Sequence, residues 1–225
     1  MVGIATFGPV STPYWSVVMP SFLGEYSGNF GRSATNRVEK FVRAVESMLA
    51  QTEQSWELLV VSDGCDETWA MRERWADKRV KFYRIQKQQL WSTMVRNAGI
   101  LKATGRVVAY LDTDDVLGAG HLAALRPGID EAGGGFWWGY TDDEVWDGQQ
   151  WVTRAAQGMN KGSAMGTSNI VHLRGIYWPP VKYRWPAMGY DHDALFVRDL
   201  KALAPGVYLP GGQYRVCHIP RRYDL

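Results

Sequence analysis

Four short apolar runs separated by segments of helical periodicity constrain this 225-residue chain more than any other feature. The runs occupy residues 16–20, 56–61, 80–85 and 107–111, and each is the length of a strand buried on both faces. Between the first two, Val38, Phe41, Val42, Val45, Met48 and Leu49 recur at helical spacing, with Asn36 and Glu39 placed as a capping box. Residues 67–76 and 90–104 read as the next two helices. Alternation of this kind predicts an α/β fold with a mostly parallel sheet flanked by helices. Ligands of such sheets gather beyond the carboxyl ends of the strands. Three polar groups fall there: Ser21 with Phe22, Asp63 with Gly64, and Asp112, Thr113, Asp114 and Asp115.

After about residue 117 the pattern changes to a smaller β and loop region. Gly133, Gly134 and Gly135 lead into Phe136, Trp137 and Trp138, and Asp147 with Gly148 marks a hairpin turn between aromatic-rich strands. Residues 153–188 are rich in Gly, Pro and aromatic residues and are expected to be mostly loop. A final helix is expected over 191–203 and a last short strand over 214–219. The composition is that of a folded protein, 46% hydrophobic and 21% charged. A net charge of +2 gives no global basic field for nucleic acid or membrane, although a local basic groove stays open. Cys65 and Cys217 form no zinc-type or disulfide pattern. With no basic start before an apolar run and no stretch of about 18 apolar residues, the expected setting is cytoplasmic, without a transmembrane segment.

The acidic group after residue 111 is the chemical centre. Asp112 and Asp114, two apart at a strand end, suit a hard divalent cation that bridges nucleotide phosphates. A solvated turn or a helix N-cap is the other reading, Asp115 in particular. Eleven Trp and eleven Tyr divide in the same way between core packing and stacking on sugar faces.

Several stretches together resemble the family 2 glycosyltransferases. They are Arg96, Asn97, Ala98, Gly99 and Ile100 through Ala103 and Gly105 to Tyr110, Leu111, Asp112, Thr113, Asp114 and Asp115; the strand at 16–20; the helix end at 47–52; and residues 56–64. The resemblance covers residues 16–118 strongly and 160–220 weakly. It implies the GT-A fold in a single domain, with a nucleotide-sugar-binding half over about 16–118 and an acceptor half over about 119–225. It also implies residue roles. Pro20 and Phe22 would lie on the donor side, Phe22 against the base, with Asp63 bonded to the base, typically uracil. Arg96 would lie near the donor phosphates or base. Asp112 and Asp114 would match the metal motif for Mn2+ or Mg2+, Asp114 as the direct ligand and Asp112 nearer the ribose, with His218 as a late metal ligand. Residues 189–193 resemble the family's Gly-Glu-Asp-x-Asp segment, which makes Asp191 the catalytic base. Tyr190 replaces the usual glutamate, so Asp193 is the alternative. Leu23 stands where the family usually has an asparagine, and the Gln-x-x-Arg-Trp signature of processive synthases is absent.

The expected activity is therefore inverting, metal-dependent transfer of one sugar from a nucleotide-sugar, a UDP-sugar first, to an acceptor hydroxyl. A glycan, a lipid-linked sugar, a protein or a nucleic-acid base all stay open as acceptor. Trp138, Trp178 and Trp185, together with Trp137, are candidate acceptor platforms, and Arg174, Lys182 and Arg184 candidate anion contacts; the alternative for each is core or solvated surface. A sugar-phosphate nucleotidyltransferase and a non-catalytic nucleotide- or sugar-binding module are the competing readings.

Overall fold

A computed structural model describes residues 12–25, 35–88, 92–156, 165–177, 185, 192–219 and 223–225. The apolar runs form the centre of the larger sheet: β1 (Trp15–Ser21), β2 (Trp56–Asp63), β3 (Val80–Ile85) and β4 (Val107–Tyr110). Every residue of β1, β2 and β4 is buried, as expected of strands covered by helices on both faces. The register of β1 on β2 runs from Trp15 opposite Trp56 to Ser21 opposite Ser62, and β1 pairs in parallel with β4 on its other side.

Alternation along β1 assigns the two cores. Val17 and Met19 face one cluster with Phe41, Ala44, Val45 and Met48 of α1 (Arg37–Leu49), and Leu122, Leu125 and Ile129 of α4 (His121–Ala132) complete it. Val18 faces the other, with Ile100 of α3 (Thr93–Lys102) and Phe196, Val197 and Leu200 of α5 (His192–Leu203). Each large side chain removed from water in this way contributes roughly 1.5–3 kcal/mol. Gly99 lets α3 approach closely, because a Cβ there would collide with Val18 Cγ1.

The remaining strands extend this frame. β6 (Trp138–Tyr140), β9 (Ile170–Leu173) and β10 (Val207–Tyr208) complete a seven-stranded sheet of order β10-β6-β9-β4-β1-β2-β3, in which β9 runs against its neighbours. A second sheet of order β5-β11-β7-β8 joins β5 (Val116–Leu117), β7 (Asp143–Trp146), β8 (Trp151–Arg154) and β11 (Tyr214–Val216). β12 (His218–Ile219) and β13 (Tyr223–Asp224) pair with each other. Among the described residues, no helix is long and apolar enough to cross a membrane.

Several expectations change. Asn36 stands at φ 49° and makes no side-chain cap bond, so the box with Glu39 does not form. The helix expected over 67–76 is shorter: α2 (Asp66–Ala70) tightens into a 3-10 turn at Met71–Glu73. Within the supposed loop over 153–188, Ile170–Leu173 is a strand of the main sheet. The strand expected over 214–219 divides at Cys217 into β11 and β12.

Candidate active site

Because β1, β2 and β4 run parallel, their carboxyl ends lie on one edge of the sheet, with β1 between the other two. Two strand spacings, about 10 Å, separate the lines of β2 and β4. Asp63 is the last residue of β2, and Asp112 lies just past β4, where Leu111 N–H still donates to the Val18 carbonyl at 3.1 Å. All three expected polar groups therefore meet along one edge.

On the β2 side, the Asp63 carboxylate accepts from Lys87 Nζ at 2.5 Å and from the Gln88 amide at 2.6 Å. Lys87 Nζ also lies 4.2 Å from the centre of the Phe22 ring. Asp63, Lys87 and Phe22 are thus one cluster built from the ends of three neighbouring segments. Gly64 makes the approach possible: its φ is +64°, and a Cβ there would stand 2.6 Å from Lys87 N. Pro20 is buried within β1, and Ser21 Oγ meets Thr68 Oγ1 at 3.1 Å.

On the β4 side three acids follow one another with different surroundings. Asp115 is only 5% exposed and accepts from Tyr214 Oη and the Cys217 amide, both at 2.8 Å. It is neither a solvated turn residue nor a helix cap, but an anchor for the bend between β11 and β12. Burial first, then the charges of Asp114 and Asp112, push its carboxyl well above the ordinary range. Tyr214 also accepts the Asp112 amide at 3.1 Å, which ties the acidic turn to the second sheet. Asp112 and Asp114 are half-buried. Arg43 donates to the Asp114 main-chain carbonyl at 3.1 Å.

Arg96 joins this turn to α5. Its side chain is 3% exposed, Nη2 donates to Asp112 Oδ1 at 2.9 Å, and Nη1 lies 3.0 Å from His192 Nε2. Burial lowers the guanidinium pKa, yet the charges of Asp112 and Asp193 outweigh this and raise it. Asp193, the alternative base, accepts from Thr167 Oγ1 at 3.1 Å and lies 3.1 Å from His192 Nε2. Burial raises its carboxyl, but His192, Arg96 and Thr167 together hold it below the ordinary value.

Trp138 and Trp185, expected as possible stacking platforms, are core residues with 1% and 2% exposure. Trp138 donates to the Ala204 carbonyl at 2.8 Å. Trp185 stacks on Phe196 at 4.2 Å and donates to Tyr110 Oη at 2.9 Å. Trp137 is exposed, and Arg174 donates to the Gly105 carbonyl at 3.0 Å. Asp191, Trp178, Lys182 and Arg184 lie outside the described residues, as does the side chain of His218. Sequence reasoning missed Lys87, His192 and Tyr214. Only Lys87 carried a usable signal, its position just past β3 on the ligand-binding edge.

Asp112 and Asp114 supply the hard oxygen donors that Mn2+ or Mg2+ prefers. Among the described residues, no group of three or more His, Cys, Asp or Glu side chains is arranged to hold a metal. The donor chemistry nevertheless fits a cation, since both acids are half-buried just past the end of β4.

A mostly parallel sheet with acids beyond the tips of two strands that flank a third is the arrangement of the GT-A class of α/β fold. Residues 33–125 match the family described as Glycosyl transferase family 2, so the chain resembles that family over this stretch. An uncharacterized glycosyltransferase of Rickettsia bellii is 32% identical over 83 residues, 36% of this chain and 12% of the relative. The Escherichia coli UDP-Glc:alpha-D-GlcNAc-diphosphoundecaprenol beta-1,3-glucosyltransferase WfgD is 30% identical over 102 residues, 45% of this chain and 35% of the relative. The matched stretches thus span well under half of these relatives. In structure, S. aureus TarS 1–349 in complex with UDP-GlcNAc superposes with a TM-score of 0.70 at 16% identity, covering 93% of this chain and 60% of that one.

Proposed function

We propose that the chain transfers a single sugar, with inversion, from a UDP-sugar to an acceptor hydroxyl. The observation that carries this reading is the shared strand edge: the Asp63, Lys87 and Phe22 cluster on one side of β1, and Asp112 with Asp114 on the other. The UDP-sugars in the names of WfgD and the TarS complex support the choice of donor.

In this reading Asp63 accepts from the imide N–H of uracil while Phe22 packs beside the base. Lys87, 2.5 Å from Asp63, keeps that carboxylate aimed. Asp112 and Asp114, with His218 as a further donor, would hold Mn2+ or Mg2+, which when bound would supply positive charge to offset that of the leaving diphosphate. Arg96 acts on the donor through Asp112, whose carboxylate it fixes. Asp191 takes the proton of the acceptor hydroxyl as it attacks from the face opposite the phosphate, a general-base contribution of about 10²–10⁴-fold. Asp193 suits this task less well, because its lowered pKa weakens it as a base.

The test is a panel of nucleotide-sugars with Mn2+ or Mg2+, scored by release of nucleoside diphosphate. UDP release that is lost in Asp191→Asn while donor binding persists is the expected result. Pyrophosphate released from a nucleoside triphosphate and a sugar phosphate would instead identify a nucleotidyltransferase, and donor binding without turnover a binding module.

A further inference from the structure

The two residues Arg96 and Asn97 of α3 each reach across to the C-terminal part of the chain. Asn97 clasps the Trp185 main chain, donating to its carbonyl at 2.9 Å and accepting its amide at 3.1 Å. Arg96 lies over the Trp185 ring at 4.8 Å and grips Asp112 and His192 with its two terminal nitrogens. The guanidinium, which can only donate, thus faces His192 Nε2 at 3.0 Å. Asp193 Oδ1, 3.1 Å from the same nitrogen, has only lone pairs to offer and draws its hydrogen bond from Thr167. One ring nitrogen thus stands between a donor and an acceptor.

We propose that His192 is a positioning residue that, through Arg96, couples the orientation of Asp112 to the first turn of α5. This rests on the reading of Asp112 as a donor-side acid. A ligand that engages Asp112 pulls on Arg96, and Arg96 transmits the shift to His192 at the start of α5. That turn also carries Asp193, so the donor-side acid and the first turn of α5 are linked through one side chain. A carboxamide at position 192 would preserve the link, since its oxygen accepts from Arg96 while its nitrogen donates to Asp193. A methyl group would sever it.

Hydrogen exchange of the full chain tests this, with His192→Ala, His192→Gln and wild type compared with and without UDP and Mn2+. Without ligand, His192→Ala is expected to speed exchange at the amides of residues 196–199 about five- to tenfold, with α1 amides unchanged. His192→Gln is expected to restore wild-type rates. UDP is expected to slow these amides in wild type and His192→Gln, but not in His192→Ala. The proposal is overturned if His192→Ala leaves α5 at wild-type rates, if UDP protects α5 equally in both, or if His192→Gln behaves like His192→Ala. Failure of wild type to bind UDP would remove the donor reading and with it the coupling, whereas the ligand-free comparison still decides whether His192 holds α5 to Arg96.

Discussion

Acidification from pH 7 to pH 5 is predicted to destabilise this fold through two buried histidines. Burial lowers both His121 and His172 from 6.5 to about 4. The hydrogen bonds show why neither accepts a proton readily. The Gln213 amide donates to His121 Nδ1 at 2.8 Å, so that nitrogen is bare. His172 Nδ1 lies 2.8 Å from the Leu173 carbonyl and must donate, which leaves Nε2 to accept from the Tyr110 hydroxyl at 2.6 Å. A proton added at either bare nitrogen would face a donor.

Below pH 6.5 the unfolded chain takes up these two protons, while the folded chain resists until about pH 4. The contribution is therefore fully present above 6.5 and is lost as pH falls toward 4. The stretch from 6.5 to 5 covers about 1.5 pH units at ~1.36 kcal/mol each, or about 2 kcal/mol per histidine. For a chain of this size that lowers Tm by roughly 4–8 °C per histidine. Asp115 acts in the opposite sense, because its raised carboxyl favours the folded state as pH falls. A comparison between variants cancels it. Calorimetric melts at pH 7 and pH 5 should show a smaller drop in His121→Asn combined with His172→Gln, which keep an acceptor at each site without the titration. A drop equal to that of wild type would refute the reasoning.

Three further outcomes follow from the geometry. Tyr214→Phe removes the donor to Asp115 and the acceptor for the Asp112 amide, and should cost about 1–3 kcal/mol in urea unfolding. Gly99→Ala places a methyl group against Val18 at the packed contact of α3 and β1, with an expected loss of about 1–3 kcal/mol in the same measurement. Arg96→Met leaves Asp112 and His192 without their shared donor; melts should show a loss of about 2–4 kcal/mol, moderated because Asp112 is one-third exposed.

The parallel half of the fold was legible because each of its strands is buried on both faces and reads as an unbroken apolar run. Val80–Ile85 was located to the residue, and the other three runs to within two residues. The second half hid its order. Pro127 inside α4 obscured the spacing of Leu122, Leu125 and Ile129, so that helix was not expected at all. β9 is four residues long and sits among Gly- and aromatic-rich segments, and only its place between β4 and β6 makes it a strand. In the site, Asp63 and Asp112 could be placed because strand ends are visible in sequence. His192 and Tyr214 could not, since their roles arise from contacts across 96 and 102 residues, whereas Lys87 shared the visible strand-end signal but was overlooked. Trp138 and Trp185 show the converse limit: composition marks an aromatic but not which way its ring faces.

The central claim, that acids at strand tips on either side of β1 receive a uridine diphosphate, is tested most directly by titration calorimetry with UDP and Mn2+. Wild type is expected to bind, Asp63→Ala to bind at least tenfold more weakly through loss of a charged hydrogen bond of about 1.5–3 kcal/mol, and Asp112→Asn to lose the enhancement by the cation. Equal affinity in wild type and Asp63→Ala, or binding indifferent to both acids, would contradict the account.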